Sequence, residues 1–307
     1  MHFCRTMAFL LFACAALALV APPVTSGDAP ATDPHLQLNP LYRELRQQGI
    51  AVGAKLKPTL PAALFVEGLN AKQQKVLLTK LAGDDYPVEE LLRPSVVAPY
   101  VFRVTEFATQ DPKTLGRRTE LWFIAYGKLE TLTHDNLTKL YQGARKDSQL
   151  KPLSDEHLAA RKLKRLTSAN IEDAFFHTSY PMLERVHIDA TFRTVASRSK
   201  ESVLLASRLD AAFATDKEFP NQWRPLDADE AGNLKLGPPQ PYEGVGVYFK
   251  ISRLHEPESA LFIELHQVFA EPTKWFNSPG VLRSKLPLVV QSEVRAFRRE
   301  LAKLAKQ

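Results

Sequence analysis

Two groups of polar residues on alternating strand patterns are the positions at which this sequence could do chemistry. From Val186 to Arg193 apolar and polar residues alternate, as they do in a strand with one buried and one solvated face. The solvated face of this strand carries His187 and Asp189. The next strand pattern, which returns antiparallel, carries Arg208 and Asp210 on its polar face.

Parity and charge predict how these two strands pair. A register that sets Asp189 opposite Arg208 and His187 opposite Asp210 keeps the apolar residues together and pairs opposite charges. A shift of two residues would set Asp189 opposite Asp210, which like-charge repulsion disfavours. We therefore predict one polar surface that contains all four residues.

A histidine beside a carboxylate has two interpretations. As a catalytic pair, Asp210 would orient His187 as the general base of a hydrolase-like enzyme. As a structural feature, the four residues form solvated cross-strand ion pairs, each of which stabilises the sheet by about 0.2 to 1 kcal/mol. No nucleophile or set of metal ligands accompanies the pair, so the structural interpretation is favoured and no catalytic residue is assigned.

A third strand pair repeats this arrangement. Between Val245–Ile251 and Leu261–Phe269 the apolar positions require that the numbers of opposed residues add to an even sum. A sum of 514 sets Lys250 opposite Glu264 and Tyr248 opposite His266. If this hairpin neighbours the previous one, the polar groups form a continuous surface. The candidate binding residues are therefore Asp189, Arg208, Tyr248, Lys250, Glu264 and His266.

Searches for other chemistry are negative. The sequence contains no HExxH, GxSxG, P-loop or GxGxxG motif. Ser179 follows His177 closely, but no acid stands nearby in the sequence to orient the histidine, so we interpret both as structural. We predict no cofactor and no metal.

The N-terminus predicts export. Arg5 precedes an apolar run from Met7 to Ala21, which is shorter than a membrane span and ends at two prolines. Residues 1–27 are interpreted as a signal peptide cleaved near Gly27, and 28–34 as a flexible arm. Both cysteines lie in the leader, so the mature domain is expected to be cysteine-free and periplasmic or extracellular, as in a bacterial envelope.

The charge balance is weakly basic, with 40 lysine and arginine residues against 34 aspartate and glutamate residues. Much of the excess lies after Ser284, so no broad nucleic-acid-binding face is predicted. Val290, Val294 and Leu301 belong to one apolar stripe of a C-terminal amphipathic helix. Its basic outer face is either solvated or in peripheral contact with an anionic membrane.

The remaining elements complete a predicted α+β fold. Asn39 and Asn70 are placed to cap N-terminal helices, and intervening helices are predicted at Thr133–Gln142 and Ser154–Leu166. These helices and the C-terminal one pack on a predominantly antiparallel sheet of about six strands in three hairpins, the first from Tyr100. Residues 35–307 form a single domain.

Together these features predict an exported, non-catalytic envelope or secreted protein. Its partner is a protein or a small-molecule ligand whose identity the sequence does not encode. The alternative is the hydrolase-like enzyme that uses the face of His187 and Asp210.

Overall fold

The computed structural model describes residues 32–52, 56–109, 111–133, 136–137, 149–168, 170–228, 234–276 and 280–305. The predicted signal peptide and most of the predicted helix at 133–142 lie outside these residues. The helices are α1 (His35–Leu38), α2 (Pro40–Gln47), α3 (Ala71–Ala82), α4 (Val88–Leu91), α5 (Asp155–Ala159) and α6 (Gly280–Leu304). None of these described helices is both long and apolar enough to cross a membrane.

Eleven described strands form one antiparallel sheet. They are β1 (Tyr100–Ala108), β2 (Thr114–Tyr126), β3 (Gln149–Pro152), β4 (Ile171–Met182), β5 (Val186–Arg198), β6 (Ser202–Leu209), β7 (Gln222–Ala228), β8 (Leu234–Leu236), β9 (Gln240–Pro241), β10 (Val245–Arg253) and β11 (Ala260–Pro272). Along the main path their order is β1-β2-β11-β10-β6-β5-β4-β3, and β7 pairs with β5, β8 and β9.

The prediction of about six strands in three hairpins is wrong. The three hairpins exist and lie side by side in the sheet, but β3, β4, β7, β8 and β9 extend it, so the chain is mostly sheet. β4 was missed because its burial does not alternate cleanly. β7 was missed because Pro225 lies in it and the surrounding proline-rich segment is typical of a loop.

Both faces of the central strands are covered. On β11, Leu261 and Ile263 pack with Val290, Val294 and Leu301 of α6, which confirms the predicted docking of the C-terminal stripe. The alternate residues of β11 point the other way. Phe262 packs with Phe65 and residues of α3, and Val268 packs with residues of α2. The sheet therefore lies between the N-terminal segment and the C-terminal helix.

Local signals placed the N-terminal helices correctly. The Asn39 side chain accepts a hydrogen bond from the Tyr42 amide at the start of α2, and Asn70 forms a capping box with Gln73 at the start of α3. The helix predicted from Ser154 is shorter than expected. It ends at Ala159 as α5, and Lys162 adopts a left-handed conformation that stops continuation.

A glycine lets the N-terminal layer approach the sheet. A Cβ atom at Gly246 of β10 would lie 2.5 Å from Cγ1 of Ile50 and 2.9 Å from Cδ2 of Leu45. Any larger residue would push α2 away from the strand. Close backbone approach therefore explains this glycine in a strand.

Candidate functional site

The polar face of the third hairpin is buried. Its predicted register is confirmed, because Tyr248 lies opposite His266 and Lys250 opposite Glu264. The four residues are at most 1% exposed, however, so the expectation of a solvated surface here is wrong. The N-terminal segment covers this face, and no local pattern in the hairpin encodes that cover.

Two buried charges bind the main chain of the covering segment. Lys250 Nζ donates to the Phe65 carbonyl at 2.6 Å and lies 3.7 Å from Asp33 Oδ1. Glu264 Oε2 accepts from the Leu64 amide at 2.8 Å. Buried charges need such partners to offset their desolvation. The cross-strand pair of Lys250 and Glu264 therefore holds the N-terminal layer on the sheet.

His266 lies between two carboxylates. Its Nδ1 is 3.4 Å from Glu120 Oε1 and its Nε2 is 3.6 Å from Glu264 Oε2. The Tyr248 ring stacks on the imidazole at 4.7 Å, and Trp122 meets it edge-on at 5.2 Å. Burial alone lowers the pKa of His266, but the two carboxylates outweigh burial and raise it above its usual value. The stability that this contact provides is therefore lost as pH rises through that raised pKa.

Asp33, which lies beside Lys250, also contacts α2. The Tyr42 hydroxyl of α2 donates to Asp33 Oδ2 at 2.8 Å. Burial and the Asp33 carboxylate raise the pKa of Tyr42 above its usual value. The phenol therefore stays protonated and keeps this hydrogen bond at neutral pH.

His35 is a buried neutral histidine. Its Nδ1 lies 2.7 Å from Ser197 Oγ and its Nε2 lies 2.8 Å from Ser202 Oγ. Burial and the nearby Lys250 charge lower the pKa of His35 to about 3, although Asp33 opposes the shift. The ring is therefore uncharged at neutral pH and serves as a structural link between α1 and the sheet.

This shift predicts a loss of stability in acid. Because the unfolded chain binds a proton at His35 near pH 6.5 and the folded chain only near pH 3, this group should remove about 2 kcal/mol of the free energy of unfolding between pH 7 and pH 5. His35→Gln should therefore show a shallower acid dependence than the parent in urea titrations at several pH values. Parallel pH profiles of the two proteins would contradict the assignment.

The second hairpin has a different register from the predicted one. Arg193 lies opposite Arg208, and Asp189 lies opposite Gln222 of β7. The predicted oppositions of Asp189 to Arg208 and of His187 to Asp210 are therefore wrong. Asp189 lies between Ser179 of β4 and Gln222 of β7, two strands that the sequence analysis did not predict.

Carboxylates on β4 and α2 offset the repulsion between Arg193 and Arg208. Asp173 of β4 accepts from Arg193 Nη2 at 2.6 Å, and Glu44 of α2 pairs with Arg208. Asp210 has a local role. It accepts from the Ala212 amide at 3.0 Å and begins a short 3-10 turn.

His187, Ser179 and Asp189 form a half-buried cluster. The Ser179 hydroxyl donates to Asp189 Oδ1 at 2.8 Å and lies 2.9 Å from His187 Nε2. Burial alone raises the pKa of Asp189, but hydrogen bonds from His187, Gln222 and Ser179 bring it well below its usual value. The carboxylate is therefore firmly ionised.

This cluster lacks the geometry of a catalytic triad. A triad places the acid on Nδ1 and the serine on Nε2 of the histidine, whereas Asp189 and Ser179 both lie near Nε2 of His187. Since the Ser179 hydroxyl has one proton and gives it to Asp189, His187 Nε2 must donate to the serine oxygen. His187 in this arrangement does not take a proton from Ser179.

A cavity open to solvent lies between β1 and α6. Its volume is about 680 Å³, which falls within the range of small-ligand sites. The loop before α4 and the loop before β1 form its other walls. We call it the arginine cleft; it is lined by Asp85, Tyr86, Val97, Ala98, Pro99, Tyr100, Val101, Phe102, Arg103, Pro287, Gln291, Val294, Arg295 and Arg298.

The arginine cleft combines positive charge with exposed apolar surface. Arg295 and Arg298 line it together with one carboxylate, Asp85. Arg103 also lines it, but its guanidinium lies 5.4 Å from the Trp122 ring and near Glu120. Tyr86 and Val97 are 38% and 57% exposed, so the cleft also presents apolar surface to solvent. These are features of a site for a ligand that carries both negative charge and apolar groups.

Arg298 is buried at the base of the cleft. Its guanidinium donates to the carbonyls of Ile124 at 2.8 Å, Ala98 at 2.5 Å and Pro99 at 2.9 Å, and more weakly to that of Val96 at 3.3 Å. Burial, with a smaller contribution from Arg295, lowers its pKa to about 10, so the group stays charged at neutral pH.

No described carboxylate lies within ion-pair distance of this cation. A guanidinium has five N–H groups, and four of them serve the carbonyls, which leaves one on Nη2 without a partner among the described residues. Arg298 is one of the basic residues after Ser284, and the sequence analysis did not distinguish it from the others. Its spacing could have done so, because it follows Val294 by four residues and precedes Leu301 by three and therefore falls on the apolar stripe.

No group of His, Cys, Asp or Glu among the described residues is arranged to hold a metal ion.

Comparisons with known proteins identify no family for this chain. No protein-family model matches the sequence, and no curated protein is similar to it. Part of the chain is similar in structure to a conserved protein from Geobacillus kaustophilus, with a TM-score of 0.27 and 7% identity over 61% of this chain and 95% of that one.

Proposed function

We propose that this chain is an exported, non-catalytic protein of the bacterial envelope that binds an anionic ligand in the arginine cleft. The observation that carries the proposal is a cleft of about 680 Å³ lined by Arg295 and Arg298, the second of which is buried and has no described carboxylate partner. A buried cation that only carbonyls neutralise gains strongly from an arriving anion, since the surroundings screen the interaction poorly.

Binding of an anionic aromatic probe tests this proposal. Anilinonaphthalene sulfonate should bind the folded protein saturably, and Arg295→Glu should weaken that binding by about tenfold or more, a change of about 1.4 kcal/mol. Arg295 is chosen because it lines the cleft and is only partly buried. Fluorescence titration measures the affinity of both proteins.

The matched control is Arg299→Glu, which makes the same charge change at the next exposed helix position outside the cleft. It should leave probe affinity within about twofold of the parent, apart from the general effect of net charge. Equal weakening by the two substitutions would show that the probe binds elsewhere. That outcome would remove the cleft as the site.

The export part of the proposal rests on the leader. The apolar run from Met7 to Ala21 and the small residues before Asp28 favour cleavage by signal peptidase. Cells that express the full chain should yield a mature form whose N-terminal sequence begins at or near Asp28. Recovery of an uncut chain in the cytoplasm would contradict export.

A further inference from the structure

The edge of the sheet forms one wall of the arginine cleft. Among the described residues β1 pairs only with β2, so its other edge has no neighbouring strand. Tyr100, Val101, Phe102 and Arg103 all line the cleft. Successive side chains of a strand point to opposite faces, so four consecutive residues can line one cavity only where it runs along the strand edge.

The opposite wall is one face of α6. Pro287, Gln291, Val294, Arg295 and Arg298 are spaced as neighbours on a single helical stripe. This stripe is about 16 Å long at 1.5 Å per residue. The four strand residues span about 13 Å. The two walls therefore run alongside each other for the length of about four residues of extended chain.

The two walls are also joined to each other. The Tyr100 hydroxyl donates to the Pro287 carbonyl at 3.2 Å. Arg298 of α6 holds the carbonyls of Ala98 and Pro99, which directly precede β1. The groove is thus built before any ligand arrives, and a preformed groove loses little entropy on binding.

From this geometry we infer that the ligand of the arginine cleft is an extended acidic segment of another protein, which adds a strand to the outer edge of β1. A groove between an edge strand and a helix suits this mode of recognition, since main-chain hydrogen bonds provide affinity and alternate side chains provide specificity. The inference rests on the proposed function, because it names the anionic ligand of the same cleft.

Charge selects the partner. Arg295 and Arg298 against the single carboxylate of Asp85 favour glutamate and aspartate side chains and repel a basic segment. A second copy of this chain is disfavoured as the occupant, because its own β1 would bring another Arg103 to the groove. The exposed Tyr86 and Val97 offer contacts to apolar side chains that alternate with the acids.

A designed peptide tests the inference. An eight-residue peptide that alternates glutamate and valine, labelled with a fluorophore, should bind the parent protein in an anisotropy titration. Arg295→Glu should weaken binding at least tenfold, and Arg299→Glu should not. A peptide that alternates lysine and valine should bind at least tenfold more weakly than the acidic one.

Backbone methylation distinguishes strand addition from simple attraction of charge. Methylating every second amide removes either the donors that face β1 or those that face solvent. One of the two methylated peptides should lose binding at least tenfold, and the other should bind like the parent peptide. Amide exchange of residues 100–103 should slow when the parent peptide is bound.

The outcomes separate the two proposals. Equal affinity of both methylated peptides, or failure of the acidic peptide while the sulfonate probe still depends on Arg295, overturns strand addition and leaves the anion site intact. Failure of both probes to bind removes the proposed function as well. Peptide binding that accompanies dimer formation in analytical ultracentrifugation would also overturn the inference, because it would assign the edge to a second copy.

Discussion

Lys250→Met is expected to lower the free energy of unfolding by about 3 to 5 kcal/mol at neutral pH. The ammonium group is fully buried, donates to the Phe65 carbonyl and lies 3.7 Å from Asp33 Oδ1, and Lys250 lies opposite Glu264 in the sheet. Methionine fills a similar volume but leaves buried negative charge without its partner. Urea unfolding of the parent and the variant measures the difference.

A double variant separates a charge effect from a packing effect. Lys250→Met combined with Glu264→Gln should be less destabilised than the sum of the single changes, because the two residues interact. Lys285→Met, at an exposed position of α6, should change stability by less than about 0.5 kcal/mol. Additive losses in the double variant would show that Lys250 acts through packing alone.

The register of the third hairpin could be predicted from sequence because two local rules agree there. The core-facing apolar residues of β10 and β11 set the parity of the pairing, and the alignment that opposes Lys250 to Glu264 pairs opposite charges. Its burial could not be predicted in the same way. The covering residues, such as Leu64 and Phe65, lie about 200 positions earlier in the chain, and nothing local links them to this face.

The second hairpin shows how the same rule fails. Pairing Asp189 with Arg208 assumed that each charge finds its partner in the neighbouring strand of the hairpin. Instead Gln222 binds Asp189 and Glu44 binds Arg208, from a strand and a helix distant in sequence. Charge pairing therefore constrains a register only when no third element approaches the same side chains.

The candidate site depends on contacts between residues that lie still further apart in the sequence. The arginine cleft forms because α6, at the end of the chain, lies beside β1 and the loop before it. The amphipathic pattern of α6 predicted which face packs on the sheet, and that part is confirmed. The pattern contains no information about which edge the helix follows, so the grouping of Arg103 with Arg295 could not be predicted.

Arg298→Met is expected to destabilise the protein by about 3 to 5 kcal/mol, because it leaves buried carbonyls without donors. Three of its acceptors, Val96, Ala98 and Pro99, belong to the loop that leads into β1. Chemical unfolding measures the total loss. Amide exchange should show that protection falls most strongly at the amides of residues 96–98 and 100, next to the lost contacts.

Two further variants identify what the guanidinium supplies. Arg298→Lys keeps the charge but lacks the planar fork that reaches several carbonyls at once, so it should recover less than half of the lost stability. Arg299→Met, which removes an exposed arginine one position along, should be nearly silent. If lysine restored full stability, the charge alone would suffice, and the several hydrogen bonds from the guanidinium to the carbonyls would contribute little stability. If methionine at 298 were silent, the loop would be held by other contacts, and the preformed wall of the arginine cleft would need a different explanation.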